Sequence, residues 1–504
     1  MNGLAVLDRL RRSELLASET APAASAGATD VTGIAYDSRA VQPGQLFVAL
    51  KGLRADGTTF SSEAIARGAS AVVSEQPAPA DVHVPWIVVR DARLALALLA
   101  AAFHGDPSRD MRVVGITGTN GKTTSAHLLA SIFEAAGVRC GVLGTVGYRI
   151  GDDVRESTRT TPEAPDVQAL LREMVDRGCG ACVLEVSSHA LALRRVDGMT
   201  FAAGVFTHLP RDHLDFHGDM DEYFAAKRRL FEMLPRDAPS LLNADDPRGL
   251  ELVGAGGRPV TYALTKPADI TSGPVTFSLD GLAFEVRTPR GTVRVRSKLV
   301  GRPNVYNILA AVAAATALDL PFDAVERGLA SLSGVPGRFE LVSAPGDAVT
   351  VVVDYAHTDD ALRNLLETAR PLSRGRLITV FGCGGDRDRT KRPLMGVVSG
   401  RLSDVIVITS DNPRSEDPSR IIDEIRRGIT PDTQRDSGAG VLTIVDRRAA
   451  IAKAIELARP GDLVLVAGKG HEKYQVIGDR VLPFDDVAVA GEALARRRAK
   501  SGVA

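Results

Sequence analysis

The sequence predicts an α/β protein of three domains, and three observations lead there. Apolar runs of strand length alternate with helix-length segments along most of the chain. That order is expected of mainly parallel sheets covered on both faces by helices. The turn-rich stretch His104-Gly105-Asp106-Pro107-Ser108 separates a first portion from a second, because Gly and Pro punctuate regular structure. From residue 336 onward the alternation repeats on its own, and 504 residues suit about three domains. Hydrophobic residues make up 44% and charged residues 24%, which supports packed cores and excludes wholesale disorder.

Residues 1–108 read as a small α/β module. The segment 32–39 leads into the turn Pro43-Gly44 and then a buried run at 46–50; 71–73 and 86–89 are further strands. Asp91 is placed to cap a Leu/Ala-rich helix over 92–104. Residues 109–335 open with a strand at 111–117, a Gly-rich loop and a helix at 122–136. Strands at 140–146, 181–186 and 202–207 follow, and an Ala-rich helix at 304–318 packs on them, which predicts a mononucleotide-binding domain with a mainly parallel sheet. Residues 336–504 place strands at 349–354, 377–381, 405–409 and 463–467. Helices near 359–370, 391–402, 418–428 and 447–458 lie between them, so this portion reads as a Rossmann-like doubly wound unit.

Bulk properties narrow the function. Lys and Arg total 61 against 62 Asp and Glu, a net charge of −1, which argues against nucleic-acid binding through bulk positive charge. The four cysteines, Cys140, Cys179, Cys182 and Cys383, are too few for a disulfide scaffold and suit a reducing cytoplasm. Cys179 and Cys182 form one C-x-x-C with no second pair to complete a zinc site, so they read as a structural pair beside a buried strand. The N-terminus is interrupted by charges, and no run approaches the ~20 apolar residues of a membrane span. A cytoplasmic monomer without membrane or nucleic-acid partners is expected.

Gly118-Thr119-Asn120-Gly121-Lys122-Thr123-Thr124 joins a strand to a helix. Glycines let backbone N–H groups wrap phosphate oxygens, and the helix start favours negative charge. Lys122 would reach the β/γ-phosphates and Thr123 would hold Mg²⁺. The strict G-x-x-x-x-G-K-T pattern fails, since its first glycine would fall at Ile116. A strand-to-helix turn that merely uses glycines is the bland alternative.

Further blocks follow in a fixed order: Glu185-Val-Ser-Ser-His189, Thr207 to Gly218 around His213, Ala225-Ala-Lys227, Gly301 to Asn307, Gly334 to Glu340, and Val353-Asp354-Tyr-Ala-His357. With these the chain resembles the Mur ligases, which build the peptide stem of the bacterial cell wall, from Asp37-Ser38-Arg39 to Gly468-Lys-Gly-His-Glu472. The resemblance implies a UDP-sugar-binding domain over 1–108, an ATP-binding ligase domain over 109–335 and an amino-acid-binding domain over 336–504. It implies an ATP-dependent amide ligase that activates a carboxylate as an acyl phosphate for attack by an amine, with Mg²⁺ as cofactor.

Residue by residue, the resemblance implies that Lys122, Glu185, His213 and Lys227 are catalytic, and that Thr123, Glu185, His213 and Lys227 hold metal. Lys227, taken singly, reads as a solvated helix-face lysine; the resemblance implies a carbamylated side chain (N6-carboxylysine), which requires a neutral amine and so a lowered pKa. ATP would meet Gly118 to Thr124, Asn304 at the adenine end, Arg338 at the γ-phosphate and Asp354 at the ribose. The UDP-MurNAc-L-Ala-D-Glu substrate would meet Tyr36, Ser38, Leu53, Arg54, Ala55, Thr160, Thr161, Ser187 and Arg195. Leu53-Arg54 and Leu193 depart from the family pattern and remove side-chain polar contacts.

Asp411-Asn412-Pro413-Arg414 reads as a tight turn on its own. In the family it accompanies meso-diaminopimelate, and the chemistry agrees. That amino acid has a second head with a carboxylate lysine lacks, which a planar guanidinium matches in two-pronged fashion. Arg387, Gly468 and Glu472 match further positions of that site. Two other readings stand beside this one: another member of the superfamily, such as a folylpolyglutamate synthase, and a nucleotide-binding switch without ligase chemistry.

Overall fold

The computed structural model describes residues 3–20, 30–52, 56–434 and 440–500. Three sheets, each with helices packed on it, follow one another along the chain. The first has the strand order Leu16–Thr20, Trp86–Val89, Ala71–Ser74, Leu46–Val48, Ile34–Ala35, all parallel except the first pairing. The run expected over 46–50 pairs only to Val48. Asp91 caps the helix Ala92–Phe103 by accepting a hydrogen bond from Leu94 N at 2.8 Å, and Ala92, Ala95, Leu96 and Leu99 carry its inward face.

The central sheet has a parallel run in the order Ile270–Ser272, Arg258–Ala263, Pro239–Asn243, Ala203–Phe206, Arg112–Thr117, Ala181–Glu185, Cys140–Leu143. Antiparallel strands extend both ends, Tyr148–Ile150 and Asp153–Arg155 on one side and Thr276–Ser278, Gly281–Thr288 and Gly291–Ser297 on the other. These extensions were not expected, although Leu282, Phe284 and Val286 alternate with exposed residues at the period of a half-buried strand. They join one core with the helix Arg302–Ala317, which is buried nearly all round and is Ala-rich because its neighbours approach closely. Cys179 and Cys182 are buried and unpaired in the core on the opposite face, beside Met174.

Register sets the site. Arg112–Ile116 pairs with Ala181–Glu185, and Val114–Thr117 with Ala203–Phe206. Three strands therefore end together, and the segments starting at Gly118, Val186 and Thr207 leave the same carboxyl edge, where parallel sheets bind ligands.

The third sheet runs Glu340–Leu341, Thr350–Asp354, Leu463–Ala467, Leu377–Phe381, Val405–Ile408, Gly440–Thr443, parallel after the first pairing. Val352 faces one core and Val351 and Val353 the other, so both faces are covered, as the doubly wound expectation requires. The hairpin Tyr474–Ile477 with Arg480–Pro483 and the helix Asp486–Lys500 were not foreseen. That helix is anchored by a fully buried pair, Arg447 to Asp486 at 2.7 Å. Asp486→Ala leaves the guanidinium buried and uncompensated, so it is expected to destabilise this unit by about 3–5 kcal/mol, read as an earlier unfolding transition in calorimetry. No helix among the described residues is long and apolar enough to cross a membrane.

Candidate active site

The Gly118–Thr124 loop is built by close approach. Gly118 has φ +142°, and a Cβ there would stand 1.9 Å from Thr207 Oγ1; Gly121, at φ +88°, would meet Asn307 Oδ1 at 2.5 Å. Neither position tolerates a side chain. Thr119 N donates to His208 O at 2.6 Å, and Thr207 Oγ1 donates to Asn120 O at 2.6 Å. Asn120 Nδ2 reaches across to the third domain, donating to Asp360 Oδ2 at 3.1 Å.

Lys122 folds back on this loop, donating to Gly118 O at 3.0 Å and Thr119 O at 2.8 Å. Lys227 donates to the same Gly118 O at 2.8 Å. It lies on the helix Met220–Glu232, whose inward face also carries Tyr223, Phe224 and Phe231, and it is 1% exposed. Burial, with the nearby Lys122 charge, pushes the Lys227 pKa well below the usual lysine range. The solvated-face reading of Lys227 is therefore wrong, because helical register turns it inward.

Glu185 ends its strand 1% exposed. Its Oε2 accepts from Thr123 Oγ1 and from Thr145 Oγ1, both at 3.0 Å, and its Oε1 from Thr145 N at 2.9 Å. Arg338 arrives from the third domain and donates to Thr123 Oγ1 at 3.3 Å, its guanidinium 4.7 Å above the Tyr355 ring. His213 has φ +55° and lies in an aromatic group with His189 and Tyr223. Burial there lowers its pKa to about 4, which leaves the imidazole neutral and able to act as a ligand. Among the described residues no three His, Cys, Asp or Glu side chains cluster as a metal cage. The donors at hand are instead oxygens of Thr123 and Glu185, with the His213 ring and the Lys227 amine, and hard oxygen donors fit Mg²⁺.

A cavity of about 130 Å³ opens beside the loop, lined by Gly121, Thr123, Thr124, Asn304, Arg338 and Asp354 among others. Asn304 Nδ2 donates to Val300 O at 2.8 Å. Asp354 accepts from Phe339 N at 2.7 Å and Ala356 N at 2.8 Å, and burial raises its pKa.

On the far side of Glu185 the residues matched to the dipeptide interlock. Thr161 Oγ1 donates to Glu185 O at 2.7 Å and accepts from Ser187 N at 3.1 Å. Ser187 caps the helix Ser188–Ala192, and Arg195 donates to Thr161 O at 3.0 Å while pairing with Glu163 at 2.8 Å. Thr160 Oγ1 is 3.0 Å from Thr145 Oγ1. Tyr36 bridges the first two domains, donating to Asp166 Oδ2 at 2.8 Å, and Ser38 donates to Glu63 Oε2 at 2.7 Å. Leu53, Arg54 and Ala55 lie outside the described residues.

Asp411, Asn412 and Pro413 follow the strand Val405–Ile408, and Arg414 at φ +51° donates through its guanidinium to Gly385 O at 2.6 Å. Asn412 Nδ2 donates to Glu472 Oε2 at 2.9 Å. Gly468 has φ +118°, and a Cβ there would meet Asp411 Oδ2 at 2.6 Å. Arg387 is exposed and donates to Asp386 O at 3.0 Å. Tyr355 lies between the regions: the Arg338 guanidinium stands 4.7 Å over its ring, and the His471 ring of the Gly468–Glu472 block packs on it at 4.9 Å between centroids.

Models of the Mur ligase middle domain, the Mur ligase glutamate ligase domain and the Mur ligase family catalytic domain match residues 116–315, 337–470 and 30–104. The UDP-N-acetylmuramoyl-L-alanyl-D-glutamate–2,6-diaminopimelate ligase of Geobacter metallireducens is 48% identical over 495 residues, covering 94% of this chain and 96% of that one. The chain belongs to the Mur ligase family. The ligase of the same name from Solibacter usitatus is 49% identical over 469 residues, 92% of this chain and 94% of the relative. A solved structure of a ligase of that name superposes with TM-score 0.69 at 35% identity, covering 95% of this chain and 98% of the other.

In this Mur ligase several residues at the site were not singled out from sequence. Thr145 holds Glu185 on both oxygens, Asp360 takes the Asn120 amide, Glu163 takes Arg195, and Lys469 is buried beneath Asn412 and Glu472. Only Lys469 had a signal, its place inside the matched Gly468–Glu472 block; the others pair across long separations.

Proposed function

We propose that this chain adds meso-2,6-diaminopimelate to the D-Glu γ-carboxylate of UDP-MurNAc-L-Ala-D-Glu, through an acyl phosphate formed from ATP, with release of ADP and phosphate. One observation carries the reading. The Gly118–Thr124 loop, Glu185, Lys227 and Arg338 converge at one carboxyl edge, and Tyr355 packs between Arg338 of that edge and His471 of the Gly468–Glu472 block. The substrate names come from relatives that match nearly the whole chain.

The residues divide the work by chemistry. Arg338 and Lys122 offset phosphate charge, and Asp354 and Asn304 frame the nucleoside side of the cavity. Thr160, Thr161, Ser187 and Arg195 hold the dipeptide near Glu185, so the γ-carboxylate and the γ-phosphate share one place. Arg414, Glu472, Arg387 and the Asp411–Pro413 turn hold the amino acid. Thr123, Glu185, His213 and a Lys227 carbamate would hold Mg²⁺. When bound, the metal supplies charge neutralisation for the phosphates. All three substrate sites come from one chain, so a monomer suffices. Four buried free thiols suit the reducing cytoplasm, where we place the reaction.

Purified protein incubated with ATP, Mg²⁺ and UDP-MurNAc-L-Ala-D-Glu is expected to release phosphate steadily only when a diamino acid is also present. Product mass should show the tripeptide with meso-diaminopimelate. Sustained phosphate release without the amino acid, or no ligated product from any diamino acid, would overturn the reading in favour of a nucleotide-binding switch.

A further inference from the structure

Lys469 has no task in the chemistry above, yet its side chain is fully buried at the centre of the Asp411–Glu472 group. Its ammonium lies 3.0 Å from Asn412 Oδ1, 3.0 Å from Glu472 Oε2 and 4.0 Å from Asp411 Oδ1. An ammonium only donates, and Asn412 Oδ1 also accepts from Val476 N at 3.0 Å. Two donors on that atom fix it as the amide oxygen, so Nδ2 is the group that faces Glu472 Oε2 at 2.9 Å. Glu472 Oε2 thus receives two donors, and Oε1 has no hydrogen-bond partner among the described residues.

The loops themselves are held by other means. Arg447 donates to Ser410 O at 3.4 Å and Ala467 O at 2.9 Å, and Gln475 Nε2 donates to Asp411 O at 2.6 Å. Lys469 therefore acts on side-chain orientation and charge more than on the backbone. With it, two carboxylates, Asp411 and Glu472, are met by a buried cation, with Arg414 and Arg387 at the rim and Arg447 held by Asp486 behind. That balance suits a head group bearing both an ammonium and a carboxylate. Without Lys469 the two carboxylates lose their buried cation, which weakens the hold on the carboxylate end of such a head group.

We propose that Lys469 is a positioning residue for the amino-acid substrate: it fixes the Asn412 amide and one Glu472 oxygen, leaving the other oxygen for the substrate's distal ammonium. The proposal rests on the function proposed above. In the full-length enzyme, Lys469→Met is expected to raise KM for meso-diaminopimelate by roughly 10- to 100-fold, with kcat changed by no more than about threefold. KM for ATP and for UDP-MurNAc-L-Ala-D-Glu should stay within about twofold, since their sites lie elsewhere. In a Glu472→Gln background, adding Lys469→Met should cost less than about threefold, because the lysine acts through that carboxylate.

An unchanged KM for diaminopimelate, a uniform rise for all three substrates, or full multiplication of the two single effects would overturn the proposal. Should Lys469→Met not fold, the double variant removes both partners and is expected to fold. Its KM should then match that of Glu472→Gln alone, and a large further rise would count against the proposal. Failure of the unaltered enzyme to ligate diaminopimelate would instead refute the functional reading.

Discussion

Lys227→Ala is expected to lower turnover by about 10²- to 10³-fold, the loss typical when one preorganised electrostatic group is removed from a reacting centre. The amine sits 2.8 Å from Gly118 O, on the loop that would wrap the phosphates, and is 1% exposed. A permanently charged lysine is costly there, and burial with the Lys122 charge accordingly favours the neutral form. A neutral amine is the form that captures CO₂, and the carbamate replaces a cation with an anion able to hold metal. Intact mass measured under gentle conditions should show one CO₂ on the unaltered protein and none on the variant. A short-chain carboxylate should restore part of the lost activity. The sign with pH follows from the same chemistry: as pH falls, protons compete with CO₂ for the amine, so carbamate and activity decline together. Full activity of Lys227→Ala, or a carbamate-free protein that ligates normally, would refute the assignment.

Arg414→Ala should lower kcat/KM for meso-diaminopimelate by roughly 30- to 5,000-fold, the range for losing a buried charge-assisted pair. The position is well set for such a role. Arg414 N donates to Val476 O at 3.1 Å and its carbonyl accepts from Gly478 N at 2.8 Å, so the hairpin after Tyr474 clamps the turn. One guanidinium nitrogen is tied to Gly385 O at 2.6 Å, which orients the planar fork before substrate arrives and reduces the entropy cost of binding. L-Lysine, without the distal carboxylate, should be a far poorer substrate for the unaltered enzyme and nearly indifferent to Arg414→Ala. Competition between the two amino acids, read by product mass, decides it; equal efficiency with lysine would remove Arg414 from the specificity determinants.

Much of the architecture was legible along the chain because its signals are local. The alternation of apolar strands and helices and the Asp91 cap depend on neighbours a few residues away; the glycines at 118 and 121 mark a local strand-to-helix turn, although Thr207 and Asn307, which leave no room for a side chain there, are distant in sequence. The antiparallel extensions of the central sheet were also written in period two, in Leu282, Phe284 and Val286, but were hidden by the stronger parallel pattern before them. The hairpin at Tyr474 and the last helix carry weak signals of their own: Tyr474 and Val481 are exposed, and Asp486 is buried only because Arg447 meets it.

By itself, then, the chain of residues determined the layered α/β plan, the glycine-rich strand-to-helix loop and the ordered blocks that mark the ligase family. Only the tertiary structure decided what those residues do to one another. It buried Lys227 against Gly118 rather than leaving it in water, joined Asn120 to Asp360 and Arg338 to Thr123 across domains, and set Lys469 under Asn412 and Glu472. The physical reason is that burial and charge coupling depend on distance in space. Groups 109, 240 and 215 residues apart along the chain meet only when strands end in register and the lobes close around them.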